Sequence, residues 1–127
     1  MEITIEQALG QGIAAHKAGK HQDAEKLYRA ILEIQPNHAD ANHNLGVLAV
    51  TFDKLEIALS HFKIALENNP KIEQFWLSYI DALIKLGRKD DAKRALQQGE
   101  DLALSIENVK RFEALLRRSA LPQVGKY

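Results

Sequence analysis

Residues of matching character recur every 34 positions along this chain, and that period limits the fold more than any other feature. Gly12 and Gly46 stand one period apart, as do Pro36 and Pro70. Ala24, Ala58 and Ala92 form a third series, and Tyr28, Phe62 and Leu96 a fourth. Four series with one period imply a single structural unit, repeated and stacked, because a unit of this size cannot bury its apolar face alone.

Each period holds two stretches with apolar residues at helical spacing. Trp76, Tyr79, Ile80 and Leu83 share one face of a helix, as do Leu55, Ala58, Leu59, Phe62 and Leu66. Short turns such as Ala18-Gly19-Lys20 and Leu86-Gly87-Arg88 separate the stretches, and glycine supplies the left-handed conformation that ends a helix. In the second unit that place is held by Asp53. Pro36 and Pro70 close the units, since proline disfavours helix in the residue before it. Gly12, Gly46 and the alanine series let two helix backbones approach closely, with Tyr28 and Phe62 filling the space beside them.

These residues resemble the tetratricopeptide repeat family. The second unit carries the likeness through Leu45, Gly46, Ala58, Phe62, Ala65 and Pro70, and the first through Gly12, Ala24, Tyr28 and Pro36. The third carries it through Trp76, Gly87, Ala92 and Leu96, but has Ile80 where a small glycine is expected and Leu104 where the closing proline is expected. The resemblance implies an all-α, right-handed superhelical solenoid of three helical hairpins with a C-terminal capping helix. The expected repeats cover about 5–38, 39–72 and 73–106, with the cap at 105–118, all within a domain of 1–118. Residues 119–127, with Pro122 and Gly125 and no periodicity, read as a tail or linker.

The ends of the stack carry their own signals. Thr4 with Gln7 reads as a capping box, and Ile3 is placed for a hydrophobic staple. Ser105 precedes Ile106, Val109, Phe112, Leu115 and Leu116, a helical apolar face. Lys110, Arg111, Glu113, Arg117 and Arg118 give that helix the polar outer side a terminal cap needs.

In the family, first helices line a concave groove that holds a protein or peptide partner. The corresponding stripe here is Glu6, Leu9, Ile13, His16 and Lys17 in the first unit. It continues as Asp40, His43, Asn44, Val47, Val50 and Thr51, then Gln74, Leu77, Ser78, Asp81, Ile84 and Lys85. Leu9, Ile13, Val47, Val50, Leu77 and Ile84 make either an exposed apolar floor for a partner or simple packing between neighbouring first helices. Asn44 is the sharpest candidate, since its amide is both donor and acceptor and can pair with a peptide backbone; stacks like that of O-linked N-acetylglucosamine transferase use a ladder of such asparagines, but the equivalent places here are Gly10 and Ser78. Some family members grip a C-terminal carboxylate with Lys, Asn and Arg; Leu9, Ile13, Gln74 and Ser78 replace those groups, so a chaperone-tail clamp is not expected.

Composition excludes other classes. Lys plus Arg and Asp plus Glu are 17 each, so the net charge is zero, without the basic excess that nucleic-acid binding requires. Such neutrality leaves a homo-oligomer open. There is no cysteine, no signal-like N-terminus and no run long enough to insert in a membrane, which gives a cytoplasmic protein as the default. The histidines at 16, 21, 38, 43 and 61 lack the helical spacing of a zinc site, and Asp90-Asp91 reads as a helix start. No phosphate loop is present, so neither a cofactor, a metal nor an enzymatic activity of this chain alone is expected. The expected function is a protein-interaction module. A second expectation comes from Leu27 to Leu32, Asn37 to Ala41 and Trp76 to Leu83, which resemble N-terminal repeats of large bacterial glycosyltransferases, sulfotransferases and methyltransferases. A third is self-assembly through stack ends or grooves.

Overall fold

The computed structural model describes residues 3–120, which form seven helices and no strand. They are α1 (Ile5–Lys17), α2 (His21–Ile34), α3 (Ala39–Thr51), α4 (Leu55–Asn68), α5 (Glu73–Lys85), α6 (Lys89–Leu102) and α7 (Ile106–Ala120). Sequential helices pair as three antiparallel hairpins, and the first helices α1, α3 and α5 lie side by side. The fold is the all-α superhelical solenoid, closed at one end by α7. α7 runs two residues past the expected boundary at 118, and the rest of the expected tail, from 121 on, lies outside the described residues.

The three hairpin turns are one structure built three times. The backbone N–H groups of Lys20, Lys54 and Arg88 reach back to the carbonyls of Ala15, Ala49 and Leu83 at 2.8, 2.8 and 2.9 Å. Those of Gly19, Asp53 and Gly87 bond the carbonyls of His16, Val50 and Ile84. This pair of bonds is the Schellman ending, and it requires a left-handed residue. Gly19 and Gly87 have φ of 78° and 75°, and Asp53 follows at 58°, a conformation that aspartate tolerates better than most side chains.

Side-chain caps fix the starts of α1, α3 and α7. Thr4 Oγ1 accepts from the Gln7 N–H at 3.0 Å while Gln7 Oε1 accepts from the Thr4 N–H at 2.9 Å, completing the capping box. Ile3 packs on the cluster that contains Ala8, one turn into α1, as a staple does. His38 Nδ1 caps α3 through the Ala41 N–H, and Ser105 Oγ caps α7 through the Asn108 N–H. Glu73 Oε2 accepts from both the Ser105 N–H at 2.7 Å and Asn108 Nδ2 at 2.9 Å, tying the start of α7 to the start of α5.

Glycine–aromatic contacts set the spacing of the first two hairpins. A Cβ on Gly12 would stand 2.6 Å from Tyr28 Cε1, and one on Gly46 would stand 2.6 Å from Phe62 Cδ1. The third hairpin solves the same problem differently. Ile80 and Leu96 are buried together there, and the backbones of α5 and α6 approach less closely than in the glycine-bearing hairpins. The small residue has moved to α6: a Cβ on Gly99 would meet Leu104 Cδ1 at 2.7 Å and Trp76 Cδ2 at 3.2 Å. Leu104, in the place of the closing proline, folds over Gly99 and is itself buried.

α7 inserts Val109, Phe112 and Leu116 into the main core formed with α4, α5 and α6, while Lys110, Arg111, Glu113, Arg117 and Arg118 face outward. Hairpin 1 joins the stack through two smaller clusters, one around Tyr28, Leu45 and Leu48 and one around Ala8, Ile31 and Ala41.

Gly10 and Gly46 give opposite responses to alanine. Nothing lies within 4 Å of a Cβ on Gly10, so Gly10→Ala raises stability by about 0.5–1 kcal/mol through helix propensity. Gly46→Ala forces a methyl into the Phe62 ring and lowers stability by about 1–3 kcal/mol. Urea unfolding of both variants checks the pair. The Tyr28 hydroxyl is buried without a hydrogen-bond partner, so Tyr28→Phe leaves stability unchanged or raises it by up to about 1 kcal/mol in the same assay.

Candidate partner-binding groove

Helical spacing places the stripe residues on the open side of the three first helices, but the structure uses them unequally. Lys17, Asp40, Gln74 and Lys85 are exposed. Leu9, Ile13, His16, Asn44, Val47, Val50, Leu77, Ser78, Asp81 and Ile84 are half-buried. Val47, Val50, Leu77 and Ile84 lean on the main core with one side, and Leu9 on the two smaller clusters. These aliphatic side chains thus pack on the clusters with one side and keep part of their surface accessible. Ile13 belongs to none of these clusters and is the floor residue least committed to packing.

His43 departs from the groove-facing expectation. It is buried, 7% exposed, with its ring stacked 4.8 Å from that of Phe75 and tilted against Phe62 at 5.4 Å. Its Nε2 lies 2.8 Å from Ser78 Oγ, across the boundary between hairpins 2 and 3. Ser78 also accepts from Gln74 Nε2 at 3.4 Å, which leaves the hydroxyl proton for the imidazole. Three polar side chains counted as groove surface are thus joined to each other, and His43 is an interhairpin wedge. The helical period alone does not foresee this, because Phe75 comes from the next unit.

Asn42 was not singled out by the sequence, yet it is buried and fully engaged. Its Nδ2 donates to the Pro36 carbonyl at 3.1 Å and to the His38 carbonyl at 3.0 Å, and its Oδ1 accepts from His61 Nδ1 at 3.1 Å. One period later Trp76 Nε1 donates to the Pro70 carbonyl at 2.7 Å. Both donors stand six residues after a closing proline, a spacing that the sequence does contain.

Burial holds His43 below the ordinary imidazole value, against smaller opposing pulls from Asn44 and Asp40. Burial likewise lowers His61, helped by Arg29, and His16, helped by His21. His16 meets His21 edge-on at 5.7 Å, and His21 meets Phe52 at 5.3 Å, so these rings pack at the hairpin tips. Among the described residues no group of three or more His, Asp or Glu is arranged to hold a metal, and no helix is long and apolar enough to cross a membrane.

Hollows of about 390 Å³, between α6 and α7 beside Leu96 and Leu116, and about 300 Å³, beside Trp76 and Tyr79, share no residue with the stripe. A tetratricopeptide repeat model matches residues 8–39 and 43–103. The chain belongs to the tetratricopeptide repeat family.

"Protein STIP1 homolog" of Dictyostelium discoideum is 30% identical over 89 residues, which is 70% of this repeat chain and 16% of that protein. The chain therefore spans only a small part of that relative's length. Among solved structures, the first tetratricopeptide domain of Spaghetti (RPAP3) bound to the HSP90 peptide SRMEEVD superposes with a TM-score of 0.80. It is 16% identical, and 91% of each chain is covered. The type III secretion translocator chaperone SycD of Yersinia enterocolitica superposes at 0.78, with 18% identity over 92% of this chain and 86% of that one. At these identities the likeness is one of fold.

The lowered histidine values fix the direction of the pH dependence. Folding favours the neutral imidazoles, so their contribution to stability is complete above the unfolded value of about 6.5 and is lost as pH falls below it toward the folded values. His43→Phe keeps an aromatic ring between Phe62 and Phe75 but removes one titration. Its stability falls less than that of the wild type between pH 7 and pH 5, as urea midpoints at pH 7, 6 and 5 would read. An identical pH dependence in the two proteins would remove His43 from this role.

Proposed function

We propose that this chain is a protein-interaction module whose partner lies along the groove of α1, α3 and α5. The observation that carries this reading is the half-open aliphatic floor bordered by exposed charged side chains. An enclosed cavity would suit a small molecule; a shallow strip across three helices suits a chain segment. Each Leu-sized side chain that the partner seats on the floor contributes about 1.5–3 kcal/mol before ordering costs. The surface serves equally in a free-standing protein or in one part of a longer one.

The partner is not a chaperone tail on this reading, although one structural neighbour holds such a peptide. The gripping positions carry Leu9, Ile13, Gln74 and Ser78, and Ser78 is already bonded to His43 and Gln74. Titration of the SRMEEVD peptide therefore gives no micromolar binding.

Peptides selected by display against the whole chain provide the positive test. Ile13→Ser and Leu77→Ser each weaken the selected binders by about tenfold, the worth of one apolar anchor, with circular dichroism unchanged. Binding indifferent to both substitutions would place the partner surface elsewhere.

A further inference from the structure

The groove's two edges carry opposite charge. Glu6 in the first turn of α1 and Asp40 in the first turn of α3 line the edge where the first helices begin. Lys17 and Lys85, in the last turns of α1 and α5, line the edge at the hairpin tips. All four are exposed. The ion pairs Arg29–Glu25, Arg88–Glu56, Arg88–Asp91 and Arg94–Asp91 lie instead on the second helices and the turn before α6. The groove charges satisfy the helix dipoles, and they form an acidic wall over α1 and α3 and a basic wall over α1 and α5, α3 having no basic residue in its last turn.

We propose that the occupant of this groove is an amphipathic helix whose apolar stripe is flanked by acidic side chains on one side and basic side chains on the other. The proposal rests on the groove reading above and adds the partner's conformation and charge. Two features separate a helix from an extended segment. First, an extended chain that is gripped through its backbone is held by side-chain amides, and the three corresponding floor positions are Gly10, Asn44 and Ser78. Gly10 has no side chain, and Ser78 is bonded to His43 and Gln74. A helix satisfies its own backbone and needs none of them. Second, side chains of an extended segment alternate up and down, whereas a helix places an apolar stripe between two lateral flanks. Only the latter addresses a floor and two walls together. Packed helices stand 8–10 Å apart, so the floor from α1 to α5 is roughly 20 Å long, the length of a helix of about 14 residues. Asp81 interrupts the apolar floor on α5, so the helix carries a Lys or Arg in its stripe at that end.

Three designed helical peptides of about 16 residues test this against the whole chain, by fluorescence anisotropy at low salt. All share a leucine stripe with one Lys at the end that meets Asp81; one has a Glu flank and a Lys flank, one has two Glu flanks and one has two Lys flanks. A fourth, with the stripe residues at alternate positions and a central proline, is confined to extended conformations. The mixed peptide binds about tenfold more tightly than either single-sign peptide, and the difference shrinks in high salt. The extended peptide binds more weakly than all three. Lys17→Glu with Lys85→Glu makes both walls acidic and moves the preference to the two-Lys peptide. Equal affinity for the three helices, or no change of preference in the double variant, overturns the charge assignment. Tighter binding of the extended peptide overturns the helix. Failure of all four to bind at millimolar concentration overturns the groove reading itself.

Discussion

The stack depends on how closely the two helices of each hairpin can approach, and in hairpins 1 and 2 a ring lying over a glycine decides it. Tyr28 and Phe62 occupy the volume that a side chain at Gly12 or Gly46 would need. Alanines at 24 and 58, both fully buried, let the second helix sit down beside that contact. Once the pair is closed, the first helices fall into line and the groove follows from their alignment. The third hairpin shows that the constraint is total volume rather than residue type. Ile80 and Leu96 spread the bulk over both helices, and Gly99 returns the space where Trp76 and Leu104 require it.

That distinction explains what was legible in the sequence. The period, the turns and the capping box are local or strictly repeated, so Gly12, Gly46, Ala92, Thr4 and Gln7 announce the architecture. The compensation in hairpin 3 is neither local nor repeated: Gly99 and Leu104 gain meaning only beside Trp76, more than 20 positions earlier. The groove was legible as a stripe but not as a set of available groups. Position along the helix puts His43 on the groove stripe, yet Phe75 and Ser78 of the next unit capture its ring and its nitrogen and bury it. Asn42 was hidden for a different reason, since its amide nitrogen donates to two backbone carbonyls, which no residue type advertises.

The interior is also uneven along the stack. Hairpins 2 and 3 and α7 share one continuous apolar cluster, whereas hairpin 1 is attached through two small ones. In a solenoid, stability is the sum of each unit and its neighbour interfaces. The end with α7 is consolidated further by Glu73, whose carboxylate is held below the usual range by Asn108 and Ser105 of the α7 start. Among the described residues hairpin 1 has no matching cover: Ala14 is exposed on it, though its counterparts Leu48 and Ala82, one and two periods later, are buried. The floor residues Leu9 and Ile13 thus sit on the less consolidated end.

This unevenness bears on how a partner is held. At the α3–α5 boundary the polar groups of the floor are spent on the fold: His43, Ser78 and Gln74 bond one another, and Phe75 roofs the imidazole. The same bonds that fix hairpin 2 against hairpin 3 take His43, Ser78 and Gln74 out of the floor's hydrogen-bonding groups. Beside Asn44 and Asp81 the floor is aliphatic surface, which adheres without specifying direction, and the charge at the edges specifies direction without contributing much adhesion. Neither suffices alone. On the proposed reading, a partner that brings its own satisfied backbone meets floor and walls together, and recognition rests on the shape and charge of a helix face rather than on a short linear motif.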